Sequence, residues 1–443
     1  DRPLTVQLAS ATGTVKATFA DMLHKYKNGT PAVSMDESNA ILVGGRKYFA
    51  VGMFADGITN QWSTWGANKA VNTYCCSDGY QDNYAYTPVT LGSYLDELSP
   101  SWAIVPDANW TGKGSSSSGS VRPGSVPTAV ATVAGYVIAL ARKPNLFMWT
   151  WGDENDMGVG EGHTPVSRSL ELTNATHLND PDHPVFQNLL GYEKPQVAVY
   201  HGRYAPVVPG SRDWTADVYS TDTYPITYQM DQGPWTIKKW VLYIDRLNRY
   251  TFGLTPIFQF IEAGTNNRTG TSGCCYGPTG QQILMEAWLG VIHGLKGVNW
   301  WTKFVNVSDD QSAGQATFVR QVGALQNVIL SGVSRAVTSS RTSDGARVDA
   351  AAWDDATATY VFAARLSEIN EMSQPSISTA LAVAGIGDTV ATVYGENRTV
   401  PVVGGVVMDQ FAPAAVHIYQ IPQTPASKPP APNPPSALTV TVK

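Results

Sequence analysis

From Ile41 to about Gly332, short apolar runs alternate with longer stretches whose apolar residues recur at helical spacing, the pattern of a βα-repeating chain. Eight strands are predicted: Tyr48–Met53, Ala67–Thr73, Trp102–Val105, Leu146–Trp151, Pro184–Leu190, Ala216–Tyr219, Pro256–Ile261 and Gly297–Trp301. Between the third and fourth, Val130, Val133, Ala134, Val137, Ile138 and Ala141 form one apolar stripe that can lie on a sheet. Helices of the same kind are predicted over 236–250, 281–295 and 313–330. This repeat in roughly 290 residues matches the size of a closed (β/α)8 TIM barrel. The competing architecture is an open doubly wound sheet. Gly52-Met-Phe-Ala-Asp-Gly57, after the first strand, lacks the glycine spacing of a dinucleotide site.

After Val337 the period shortens to that of strands, over 347–352, 359–364, 380–383, 390–394 and 415–421, which predicts a small antiparallel β-sandwich. The chain thus divides into an N-terminal extension (1–40), a barrel (41–333), a sandwich (334–421) and a Pro-rich linker (422–443). That linker closes on an alternating run, 437–442, which reads as the opening strand of a further module of a longer chain.

Bulk properties narrow the function classes. A net charge of −6 with no cluster of Lys and Arg argues against nucleic acid. No apolar run approaches the length of a membrane span. Thirteen Trp and twenty Tyr supply core packing first, and also planes on which sugar rings stack. The chain begins at Asp1 without an apolar leader, and its four cysteines form two vicinal pairs, Cys75-Cys76 and Cys274-Cys275, in segments taken to follow strands. A processed, secreted protein with disulfides is expected ahead of a metal site, with the connectivity open. The Ser/Gly-rich stretch 112–124 is expected to be a solvated loop.

Two strand-like segments run into a carboxylate: Leu146-Phe-Met-Trp-Thr-Trp-Gly-Asp-Glu154 and Ile257-Phe-Gln-Phe-Ile-Glu262. In a parallel barrel both ends open onto one face, and two carboxyls facing one gap are the apparatus for glycosidic cleavage. Asp153, Asp156 and Trp151 around Glu154 favour its protonated form, as a general acid requires.

With these segments in place, the chain resembles clan A of the glycoside hydrolases, retaining enzymes of β-galactosidase-like and β-glycanase-like kind. The resemblance implies an acid/base Glu ending strand four, here Glu154, and a nucleophile Glu ending strand seven, here Glu262. Glu286-Ala-Trp-Leu-Gly-Val-Ile-His-Gly-Leu-Lys-Gly-Val-Asn-Trp-Trp301 resembles the family's last helix and strand, which end on a Trp beneath the sugar. Asp217-Val-Tyr-Ser-Thr-Asp-Thr-Tyr-Pro225 resembles strand six, where a Tyr supports the nucleophile; Tyr224 holds that place. The stretches from Glu396 and from Phe411 to Tyr419 resemble the family's accessory sandwich. The chain departs from the family in having Asp153 where an Asn precedes the acid/base residue, with Asn155 after it.

The expected substrate contacts are Trp151, Asp153, Asn155, Asp222, Tyr224, Trp300, Trp301 and Trp110, with Trp62 and Trp65 as further loop aromatics. One of Trp300 and Trp301 is expected to face the sugar and the other to pack outward. Glu286, within a predicted helix, is expected to pack or to make a surface ion pair. His201 and His293 are expected to be structural histidines. Gln259 falls on the opposite strand face from Glu262 and has no role in this scheme. No Gly-x-Ser-x-Gly elbow occurs, which disfavours an esterase. The expectation is a secreted retaining hydrolase of a β-linked glycan, endo-acting, with no metal or organic cofactor. The alternatives are an exo-acting β-galactosidase-like enzyme, a non-catalytic carbohydrate-binding barrel, and a polysaccharide lyase.

Overall fold

Eight strands pair in parallel in chain order, and the eighth pairs with the first to close a barrel. They are β1 (Ala50–Asp56), β2 (Thr73–Asp78), β3 (Trp102–Val105), β4 (Leu146–Thr150), β5 (Val185–Leu189), β6 (Val218–Thr221), β7 (Ile257–Glu262) and β8 (Gly297–Trp301). The computed structural model describes residues 2–9, 15–23, 32–56, 71–78, 102–105, 130–150, 166–189, 215–226, 236–251, 253–266, 277–301, 305–340, 346–423 and 438–442. Among them, helices follow five of the strands: α1 (Val130–Leu140), α2 (Val166–Asn179), α3 (Ile237–Tyr250), α4 (Gly280–Ile292) and α5 (Asp309–Ile329).

Strands covered on both faces lose the apolar/polar alternation, which is why the all-buried β7 reads Ile-Phe-Gln-Phe-Ile-Glu. Phe258 and Phe260 point into the barrel with Phe147, Phe186 and Val218, while Ile257 and Ile261 join the layer beneath the helices. Val33 and Ile41, from a small sheet preceding β1, pack into the same interior cluster. The Val33 N–H is bonded to the carbonyl of Asp182, three residues before β5, so this sheet sits at the N-terminal end of the barrel. That end is plugged by apolar side chains, and chemistry is left to the C-terminal end.

Two barrel expectations are corrected. The second strand runs over Thr73–Asp78 rather than 67–73, because Asn72 uses its side chain on the neighbouring strand, accepting from the Val51 N–H at 2.7 Å and donating to the Phe49 carbonyl at 2.9 Å. Cys75 and Cys76 consequently lie within β2 rather than after a strand; Cys274 and Cys275 fall outside the described residues. Helix α2 has no counterpart in the sequence prediction; its buried positions Ser169, Leu172, Thr173, Ala175 and Thr176 mix polar with apolar residues and blur the stripe.

The C-terminal region differs from a two-layer sandwich. Strands β9 (Arg347–Asp354), β10 (Ala358–Leu366), β11 (Ile377–Val383), β12 (Thr389–Val393), β13 (Arg398–Val403), β14 (Val406–Phe411) and β15 (Val416–Pro422) belong to one antiparallel sheet. With the short strands Ser334–Arg335 and Val337–Ser339 as its two ends, the sheet has nine strands. It curls so far that Ser339 Oγ, on one end strand, donates to the Val348 carbonyl of β9 near the other at 2.5 Å. Curling encloses a core of Val361, Leu381, Val407 and Tyr419 without a second layer. The β13–β14 hairpin, which the sequence prediction does not contain, turns on Val403-Gly404-Gly405-Val406, where both glycines take positive φ (58° and 76°), as a two-residue hairpin turn demands.

Helix α4 joins the two units. Trp288 packs edge-on to Phe318 of α5 at 5.4 Å and stacks on Phe362 of β10 at 5.2 Å. The run expected to open a further module, Leu438–Val442, pairs antiparallel with Arg2–Ala9, which itself pairs with Val15–Leu23.

Candidate active site

The C-terminal ends of β6, β7 and β8 meet around Glu262. The carboxylate shares the interior-facing parity of Phe258 and Phe260 and is 1% exposed. Register places it beside Trp301 of β8. Trp301 is half-buried and stacks on Tyr224, from the turn after β6, at 4.7 Å and 29°. From that same turn the Ile226 backbone N–H donates to Glu262 Oε1 at 2.5 Å. The strand-end geometry thus orients a buried carboxylate by a main-chain donor and sets an aromatic pair next to it. A carboxylate so bonded is favoured in its charged form.

Sequence reasoning missed the Ile226 donor. A main-chain N–H carries no residue-type signal, and only the turn through Thr223-Tyr224-Pro225 aims it. Asp222 lies half-buried in this turn. Tyr224 is buried, with its ring committed to Trp301.

The two consecutive tryptophans part company. Trp300 is fully buried on the helix side, edge-on to Phe318 at 5.8 Å, and is removed from the expected sugar contacts because no sugar can reach it. Trp301 keeps the position. Gln259 acquires an account: its Oε1 accepts from Thr221 Oγ1 at 2.5 Å on the helix-facing side, linking β7 to β6. Inside the barrel, Ser220 Oγ donates to Asn188 Oδ1 at 2.7 Å, and Asn299, two residues before Trp301, is 1% exposed with neither amide atom partnered among the described residues.

Glu286 is not a surface residue. It is fully buried in α4, and among the described residues neither carboxyl oxygen meets a hydrogen-bond partner. Burial holds its pKa well above the ordinary carboxylate range, and the charge of Glu262 adds to the effect. His293 is the satisfied structural histidine expected, held by Asp245 and Asp349.

Trp62, Trp65, Trp110, Trp151, Asp153, Glu154, Asn155, His201 and the 112–124 stretch lie outside the described residues. What the structure brings together is Asp222, Tyr224, Ile226, Glu262 and Trp301.

A closed parallel barrel, plugged at its N-terminal end, joined to an antiparallel sheet and bearing a buried strand-end carboxylate, defines the class. Solved structures of that class align over most of this chain. AmyP in complex with maltose superposes with a TM-score of 0.53 at 7% identity, over 84% of this chain and 96% of that one. A noncanonic maltogenic alpha-amylase, AmyB from Thermotoga neapolitana, superposes with a TM-score of 0.50 at 8% identity, over 85% of this chain and 99% of that one. At such identities the likeness is one of fold alone. No family model matches the sequence, and no curated protein matches it.

Proposed function

We propose that this protein is a secreted retaining glycoside hydrolase, built on a complete (β/α)8 barrel and cleaving a β-linked glycan by double displacement, endo-acting. Glu262 is the nucleophile and Glu154, at the end of the segment that continues β4, the acid/base. The observation that carries the proposal is Glu262 itself: a carboxylate at the C-terminal end of a barrel strand, bonded by the Ile226 N–H and flanked by the Tyr224–Trp301 stack.

In this mechanism Glu154 protonates the leaving oxygen while Glu262 attacks the anomeric carbon, forming a glycosyl-enzyme ester. Water then enters with Glu154 acting as base, and the product keeps its anomeric configuration. Retention calls for a gap of about 5–5.5 Å between the two carboxyls. Trp301 offers its ring as a platform to the sugar, and Asp222 stands by to bind a hydroxyl. Two carboxyls suffice, and the scheme uses neither metal nor organic cofactor.

The test is Glu262→Gln assayed on a panel of polysaccharides, β-linked and α-linked, the latter because AmyP is seen with maltose. Turnover is expected to vanish while the circular dichroism spectrum stays that of the folded protein. Undiminished hydrolysis removes the assignment. Proton NMR of the first-formed product is expected to show the substrate's own anomer. The same Tyr224–Trp301 stack favours one other function, a saccharide-binding barrel without turnover; calorimetric binding with no product from any glycan would establish it.

A further inference from the structure

If Glu262 is the nucleophile, a second buried carboxyl, on the helix that packs against its strand, is left without a role. Glu286 lies midway along α4, the helix that follows β7 and packs against it. It is 0% exposed, and among the described residues neither of its oxygens meets a donor. Its neighbours Met285, Ala287, Trp288 and Leu289 are apolar and fully buried, so an apolar side chain would serve packing better. A lone carboxylate cannot stay ionised in such surroundings, and the group keeps its proton.

Glu262 has what Glu286 lacks, a donor at 2.5 Å from the Ile226 N–H. Two carboxyls that interact through a dry interior carry one charge between them, and the donor decides where it resides. Four charged groups on elements packed against α4 bond partners other than Glu286. Asp245 of α3 and Asp349 of β9 bond His293, at the far end of the helix. Asp310 of α5 accepts from the Gly280 N–H at the near end, and Arg365 of β10 donates to the Pro375 and Phe411 carbonyls. The charge that reaches Glu286 is that of Glu262.

We propose that Glu286 is a positioning residue for Glu262: a neutral carboxyl behind the strand end that keeps the single negative charge of the pair on Glu262, and whose loss of its proton sets the alkaline limit of the site. The functional half of this proposal rests on Glu262 being the nucleophile; the pairing does not.

The test uses the full chain with 13C-labelled glutamate carboxyls, titrated by NMR. Glu286→Gln identifies the Glu286 signal, or Glu286→Asp if the Gln variant does not fold. Replacing Glu262 by Gln is expected to move the Glu286 midpoint down by about one pH unit or more, the coupling of two carboxyls sharing one site. An unmoved midpoint overturns the pairing. Profiles of kcat/KM against pH, on whichever glycan the wild type cleaves, are expected to show the alkaline limb displaced to higher pH in Glu286→Gln with the acid limb in place. A uniform fall with both limbs unmoved marks a merely structural residue and overturns the positioning role. Should Glu262→Gln shift the midpoint yet retain turnover, the nucleophile assignment and the positioning role both fall while the pairing stands, so the two failures are told apart.

Discussion

Asp349, on β9 of the curled sheet, bonds Nε2 of His293 at 3.1 Å, while Asp245 of α3 holds Nδ1 of the same ring at 2.8 Å. One imidazole at the C-terminal end of α4 thereby clasps the barrel to its accessory sheet. Burial by itself would lower the pKa of His293, but its hydrogen bonds to the two carboxylates and their charges outweigh it and push the value up to about 9. A raised folded-state pKa means stabilisation that is complete below the unfolded value of about 6.5 and is lost as pH climbs through about 9. Urea unfolding of the wild type is expected to weaken across that window by on the order of 2 kcal/mol. His293→Gln should flatten this part of the dependence, and an equally steep decline in the variant would disprove the clasp.

A second tie runs the other way. Glu368, just beyond β10, accepts the N–H groups of Ile237 at 2.9 Å and Lys238 at 3.2 Å at the start of α3. Helix N-termini leave such donors open and carry partial positive charge, so a carboxylate from another unit serves as cap. Glu368→Ala is expected to cost about 1–2 kcal/mol in denaturant unfolding. Glu368→Gln, which keeps an acceptor, should cost less.

Helices α4 and α5 cross at two glycines. A Cβ on Gly314 would fall 2.2 Å from the Gly280 carbonyl oxygen, a backbone atom that cannot step aside cheaply. Gly314→Ala should therefore destabilise by about 1–3 kcal/mol. Gly323, in the same helix, meets nothing within 4 Å, and Gly323→Ala should be neutral or stabilise by about 0.5–1 kcal/mol. Thermal melts of the two variants make the comparison, and equal effects would contradict the crossing geometry.

The neighbouring tryptophans should separate by phenotype. Trp300→Ala empties a fully buried site and is expected to cost about 3–5 kcal/mol of stability. Trp301→Ala breaks the stack on Tyr224 and should instead lower saccharide affinity or kcat/KM with a smaller loss of stability. The reverse pattern in calorimetry and melts would mean that the ring facing the sugar had been misassigned.

Much of the frame was legible from the chain alone. Periodicity located seven of the barrel strands with ends no more than three residues off, because strand and helix spacing record which faces are buried. It also set Glu262 at a strand end and on the same side as Phe258 and Phe260. The second strand slipped by several residues because Asn72 spends its side chain on β1, a long-range bond that no local spacing announces. The accessory region read as short antiparallel strands, with five of its seven longer ones located and β13 and β14 missed, yet strand pattern does not say whether strands split into two layers or continue round as one.

The amino-acid order by itself determined the succession of elements, the buried faces and the presence of an acid where β7 ends, since each depends on residues a few positions apart. Only the tertiary structure decided that the Ile226 N–H meets Glu262, that Glu286 lies in a dry interior behind it, that Trp301 rather than Trp300 faces the site, and that His293 reaches across to Asp349. Those facts turn on distances between residues tens of positions apart in sequence, which are set when the barrel closes and the packed layers leave each side chain one place to go.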